Sequence, residues 1–197
     1  MGYLLQALYT IIQFVFGLYL VMVMLRFLFQ LFRADFYNPV SQAIVKVTNP
    51  PLKLLRRVIP GYGGIDIACV VLLLLVQGME IFLLSVVFTG GLPTLPGLLV
   101  LSVANLLQLC AYIFIVLVLV SVVISWVNPG AYNPVTVLLY QLTEPLLRPV
   151  RRRIPDLGGL DFSPMIVMLL LFLFMTLVVA PLMDWGSVLN GMQRRLL

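Results

Sequence analysis

From Leu4 to Leu25, and again from Leu106 to Ile124, the chain carries no charged side chain. Each run is about as long as the roughly 20 apolar residues an α-helix needs to cross a hydrocarbon core. Two further runs, Ile67 to Met79 with its continuation to Phe88, and Met165 to Met183, bring the total to four. The remainder cannot hide that much apolar surface. The chain is 62% hydrophobic and only 10% charged, against roughly 25% charged residues in ordinary soluble domains. The first run has no basic segment before it and no small-residue cleavage pattern, so it reads as a spanning helix and not a secretion signal.

Sliding the sequence against itself by 95 residues aligns residues 36–67 with residues 131–162 without a gap, and 14 of those 32 positions are identical. The matches include Tyr37-Asn38-Pro39-Val40 with Tyr132-Asn133-Pro134-Val135, Arg56-Arg57 with Arg151-Arg152, Gly63-Gly64 with Gly158-Gly159, and Asp66 with Asp161. The chain therefore divides into two copies of one unit, residues 1–92 and 93–197. The expected fold is all-α: four transmembrane helices (about 4–32, 66–88, 98–127 and 163–183), with a basic amphipathic helical hairpin, interfacial or re-entrant, inside each copy (39–59 and 134–154). A unit with two spans ends on the side where it began, so the copies are parallel and not inverted.

The two loops inside the units hold Arg33, Lys46, Lys53, Arg56 and Arg57 in one copy and Arg148, Arg151, Arg152 and Arg153 in the other; the opposite side holds Arg194 and Arg195. Positive charge is retained on the cytoplasmic side. The basic loops are thus expected in the cytoplasm, and both termini on the opposite side of the membrane.

In each loop Asn38-Pro39 and Asn133-Pro134 have the form of a helix start, Asn capping the free amides and Pro occupying the first turn. At 100° per residue Val40, Ile44, Val47, Pro51, Leu55 and Val58 share one face, opposite Lys46, Lys53, Arg56 and Arg57. Leu139, Leu142, Leu146 and Val150 stand in the same way against Arg148, Arg151 and Arg152. Pro50-Pro51, and Pro145 with Pro149, are expected to divide each segment into two short helices. The basic face suits anionic headgroups, at about 1 kcal/mol per charge. Aromatic residues are not interleaved with the arginines, which argues against a nucleic-acid surface. The Gly63-Gly64 and Gly158-Gly159 turns lead into spanning helices, where Asp66 and Asp161 are placed to cap the first amides.

Within the spans, Gln6, Thr10, Gln13 and Gly17 share one face of the first helix, and Ser102, Asn105, Gln108 and Tyr112 the corresponding face of the third. Such stripes are expected to point at other helices. Arg26 and Glu80 are the ionisable residues well inside spans; helix rise separates them in depth, so direct pairing is not expected, and Arg26 can snorkel to the interface. Cys69 and Cys110 lack Cys-x-x-Cys spacing, histidine is absent, and no nucleophile or phosphate-loop motif occurs. No metal site, cofactor or enzymatic activity is expected.

The repeated Tyr-Asn-Pro, the Pro followed by a basic run, the Pro-x-x-Gly-Gly-aliphatic-Asp turn and Ser125-Trp126-Val127-Asn128-Pro129 resemble the YggT family, whose bacterial members carry this unit twice. The first copy departs from the pattern, with Gln30-Leu31-Phe32-Arg33 where the Ser-Trp segment would stand. The resemblance implies an inner-membrane or plastid-membrane location. Its relatives are associated with potassium uptake and osmotic tolerance, with division and nucleoid organisation, and with cytochrome maturation; it supplies no catalytic residues. The leading functional expectation is a membrane scaffold or assembly factor, with headgroups, other membrane proteins or further copies of itself as partners. The alternative is an oligomeric channel or transporter for a small ion such as potassium. A periplasm-active reporter fused after Leu197 is expected to be active outside the membrane; activity confined to the cytoplasm would invert the topology.

Overall fold

A computed structural model describes residues 2–61, 64, 66–128, 130, 132–153 and 161–191. Among the described residues, four helices are long and apolar enough to cross a membrane: Tyr3–Leu31, Ile67–Thr89, Leu95–Val127 and Ser163–Leu189. We label the first α1 and the third α4. The second is α3 (Ile67–Leu84) ending in a wide π-turn, Ser85–Thr89. The fourth consists of α6 (Ser163–Phe174), a π-turn at Met175–Val179, and α7 (Ala180–Leu189). The second π-turn lies just before Pro181, whose ring would crowd the carbonyl four residues back in a regular helix. Each unit also holds one helix between its spans, α2 (Pro39–Leu55) and α5 (Pro134–Arg151).

Side by side the spans run α1, α3, α4, α6–α7, so α4 lies between both neighbours while α1 and α6–α7 stand at the edges. α4 and α7 approach closely: a Cβ on Gly186 would stand 2.7 Å from Leu101 Cγ and 3.2 Å from its backbone nitrogen. Backbones approach this closely only where one partner has no side chain. At that end Thr94 N and Oγ1 donate to Asn190 Oδ1 at 2.9 and 3.0 Å.

The chain leaves α1 through a left-handed residue, Arg33 (φ 52°), with Arg33 N donating to the Gln30 carbonyl and Ala34 N to that of Phe29. This is a Schellman-type end, which satisfies the last carbonyls and turns the chain sharply. The turn sets up α2, where Asn38 Oδ1 accepts from Val40 N at 3.0 Å. At α5 the Asn133 side chain accepts from Val135 N and Thr136 N, and Thr136 Oγ1 accepts from Asn133 N, each at 3.0 Å. The two loops meet at these starts: Asn38 Nδ2 donates to the Pro134 carbonyl at 2.6 Å, and Asp35 N to Gln141 Oε1 at 3.0 Å.

Two expectations about the interfacial segments change. The prolines do not divide them, since α2 runs continuously through Pro50 and Pro51, and α5 through Pro145 and Pro149. Each helix gives up only the two amide donors of these inner prolines, and a threonine that bonds within the helix stands two residues before Pro50 and before Pro145. Thr48 Oγ1 donates to the Ile44 carbonyl at 2.7 Å and Thr143 Oγ1 to that of Leu139 at 2.9 Å.

The inward face of α2 is also rotated, while that of α5 keeps the expected Leu139 and Leu142. Ser41, Thr48 and Leu52 are buried in α2, and Thr136, Leu139, Leu142, Thr143 and Leu147 in α5. Val47 and Val58, expected inside, are 49% and 81% exposed. A threonine whose hydroxyl bonds to its own helix buries at little cost. It is also smaller than leucine, which lets the helix settle closer to the spans.

One contact recurs in both units. Arg56 pairs with Asp66 through Nη2 and Oδ2, and Arg151 Nη2 and Nε reach Asp161 Oδ2 at 2.8 and 3.0 Å. Both pairs have the same ten-residue separation, and they tie the end of each interfacial helix to the start of the next span. The aspartates also cap: Asp66 Oδ1 accepts from Cys69 N at 3.3 Å and Asp161 Oδ1 from Ser163 N at 2.9 Å. Asp66 is 5% exposed at the side chain and Asp161 41%.

Partial burial alone would push the Asp161 carboxyl up, but the Ser163 hydrogen bonds and the Arg151 charge together hold it below its ordinary value. A carboxylate with a depressed folded pKa adds stability at pH above its unfolded value, and that stability is lost as pH falls through the folded one.

Followed by unfolding in detergent, Asp66→Asn is expected to cost about 1–2 kcal/mol, reduced from the fully buried case because Arg56 stays hydrated. Asp161→Asn is expected to cost less than about 1 kcal/mol. The stability that Asp161 adds should fade only below the ordinary carboxylate range, and Asp161→Asn should remove that part of the acid transition. Equal costs at neutral pH would show that the two clasps do not differ.

Candidate functional site

The clasps divide the basic residues of the loops into two groups. Arg56 and Arg151 are held by carboxylates, whereas Lys46, Lys53, Arg57, Arg148, Arg152 and Arg153 are exposed and make no such bridge to another described residue. Lys53 and Arg148 also stand in the last turns of α2 and α5, where a cation opposes the negative end of the helix dipole. Lys46 and Lys53 on α2, Arg148 on α5, and Arg57, Arg152 and Arg153 in the turns that follow these helices are thus exposed basic residues of the two loops. Gly64 takes a left-handed conformation (φ 81°), which a residue without a Cβ adopts freely. Gly63, Gly158, Gly159, Arg194 and Arg195 lie outside the described residues.

The intramembrane polar residues separate by place in the bundle. Gln13 is exposed and donates to Tyr9 Oη at 2.9 Å on its own helix, and Thr10 is exposed and bonds to the Gln6 carbonyl at 3.0 Å. The expectation that this stripe points at other helices fails within one chain, because α1 is an edge helix. On α4 Ser102 is buried, while Asn105 and Gln108 are half-buried. Glu80 is buried and accepts from Gln77 Nε2 at 2.9 Å.

Arg26, 5% exposed, does not extend away to the surface. Its Nη1 donates to the Val45 carbonyl at 3.1 Å and to Thr48 Oγ1 at 2.7 Å, binding α2 onto α1.

The second unit has a cleft among α4, α5 and α6, with a volume of about 780 Å³. Ser121, Leu147 and Pro164 form its buried floor, and Trp126, Tyr140 and Met165 stand exposed at its mouth. Arg151 lies along one wall, bonded to Asp161 and, through Nη1, to Glu144 Oε2 at 3.3 Å. These two carboxylates and their hydrogen bonds raise the guanidinium pKa although partial burial alone would lower it. Sequence reasoning missed both the clasps and the cleft. The clasps had a signal, the same Arg-to-Asp spacing in each copy. The cleft had none within one segment, because it is walled by three helices.

The sequence model of CCB3/YggT matches residues 5–87 and 100–182, one match for each unit. The chain is 43% identical over 187 residues to an uncharacterized protein of Pseudomonas aeruginosa, covering 94% of this chain and 93% of the relative. It is 40% identical over 172 residues to the uncharacterized protein YggT of Escherichia coli K12, covering 87% and 89%. To an uncharacterized protein of Haemophilus influenzae it is 41% identical over 153 residues, covering 76% and 79%. No solved structure matches. With both units matched and these relatives aligned over most of their length, the chain belongs to the CCB3/YggT family.

Proposed function

We propose that the chain is a scaffold or assembly factor of the bacterial inner membrane, which holds anionic headgroups or a partner membrane protein on the basic face of α2 and α5. In this reading that face is cytoplasmic and both termini are periplasmic. The observation that carries it is the fixed presentation of Lys46, Lys53 and Arg148 on α2 and α5, and of Arg57, Arg152 and Arg153 just after them, where Arg26 and the two clasps pin the helices to the spans and the Asn38–Pro134 bond joins them to each other. A helix already ordered loses less entropy when it binds than a loose loop does. At about 1 kcal/mol per charge near an anionic surface, six such residues are ample for retention.

The potassium-path reading has less support. The glutamine of α1 faces outward and bonds to its own helix, and Glu80 is buried with Gln77 as its partner.

Replacing the six exposed basic residues with glutamine, while keeping Arg56 and Arg151, tests the proposal. In cross-linking from native membranes the parent chain is expected to hold a reproducible set of neighbours, and the variant to lose most of it with its unfolding midpoint unchanged. A chain that is solitary in native membranes and conducts potassium in liposomes would sink the scaffold reading.

A further inference from the structure

The two units build the same corner in opposite ways. A shift of 95 residues carries Arg26 to Ser121, Phe27 to Val122, Gln30 to Ser125, Leu31 to Trp126, Asn49 to Glu144, and Asp66 to Asp161. In the first unit Phe27, Gln30, Leu31, Gly64 and Asp66 line this corner, and it encloses no volume that a water molecule can enter. Beside it the Arg26 guanidinium fills the space between α1 and α2, bonded to Val45 and Thr48. In the second unit the corner is the 780 Å³ cleft.

The charge changes with the volume. Arg26, Arg56 and Asp66 give the first corner a net +1, whereas Arg151, Glu144 and Asp161 give the second a net −1. One cation has been removed and one carboxylate added, and the acceptors remain. Ser121 Oγ donates to the Val118 carbonyl at 2.7 Å, and Thr143, the counterpart of Thr48, donates to Leu139; each oxygen keeps lone pairs free to accept.

We propose that the cleft of the second unit binds an aminophospholipid, its primary ammonium taking the place that the tethered Arg26 guanidinium takes in the first unit. The ammonium donates toward Ser121 and Glu144 on the floor and wall, and the upper acyl chain lies against Val122, Met165 and Met168. Three features favour a lipid over a partner's lysine or arginine. The apolar wall continues into the exposed surface of α6, where Leu169 and Phe172 are 57% and 50% exposed. Trp126 and Tyr140 at the mouth are the residue types that settle at the headgroup level. The volume also suits a headgroup with part of a chain better than one side chain.

Trp126 reports on the mouth, and Trp185, the other tryptophan of the chain, is removed as Trp185→Phe. In phosphatidylcholine bilayers doped with brominated lipid, quenching of Trp126 is measured for phosphatidylethanolamine and for phosphatidylglycerol. We expect phosphatidylethanolamine to be preferred by about fivefold, the scale of one partly exposed ion pair. Glu144→Gln, which keeps the volume, should bring that ratio to about one, and so should Ser121→Arg, which restores the tethered cation of the first unit.

No preference in the parent chain, a preference for phosphatidylglycerol, or a phosphatidylethanolamine preference that survives Glu144→Gln would each overturn the proposal. So would a Trp126 that neither brominated lipid quenches and that cross-links to a second protein, which would assign the cleft to a partner's side chain. Because the readout is lipid contact at Trp126, it does not depend on whether the basic face of α2 and α5 holds a partner.

Discussion

The Arg–Asp clasp is the contact on which the form of each unit depends. An amphipathic helix between two spans has its linkers and its apolar face to join it to them, and in the first unit the Arg26 bonds as well, but none of these fixes its far end. Arg56 with Asp66, and Arg151 with Asp161, join the last turn of that helix to the first turn of the following span. The same carboxylates cap the span, so one side chain closes the loop and starts the helix after it. With this end fixed, and with Asn38 bonded to Pro134 at the other, α2 and α5 lie as a defined platform across the ends of the spans.

On that platform the two copies have taken different parts. In the first, Arg26 reaches from α1 to Thr48 and Val45 and seals the corner from within, and Asp66 is nearly fully buried. In the second, Ser121 is too short to reach, Glu144 joins the network, and the corner stays open. A duplicated unit can keep one copy closed for stability while the other carries an opening, since the closed copy anchors the shared interface. The position of α4 between α3 and α7 fits this division, because the opening is built on the helix with most neighbours.

Much of this was legible in the chain. The uncharged runs fixed the number of spans, because a helix that crosses a bilayer must be apolar along its length. The 95-residue repeat gave parallel units, and the capping residues marked where α2, α3 and α5 begin. Where the reading failed, it failed for lack of neighbours. The inward face of α2 was assigned from hydrophobicity, yet Ser41 and Thr48 are buried and Val47 is not, because a hydroxyl bonded to its own helix can be buried and a small side chain allows close approach. The glutamine stripe of α1 looked like a packing face, but α1 is at the edge.

By itself the sequence determined the class of the protein, its duplication and the capped starts of α2, α3 and α5. These rest on local properties: the length of an apolar run, the residue at a cap, and identity at a fixed shift. Only the tertiary structure decided that Arg56 and Arg151 are held by carboxylates, that Arg26 binds α2, and that one of two homologous corners is open. Those outcomes depend on side chains far apart in the chain meeting across three helices, and no periodicity within a single helix encodes which neighbour it meets.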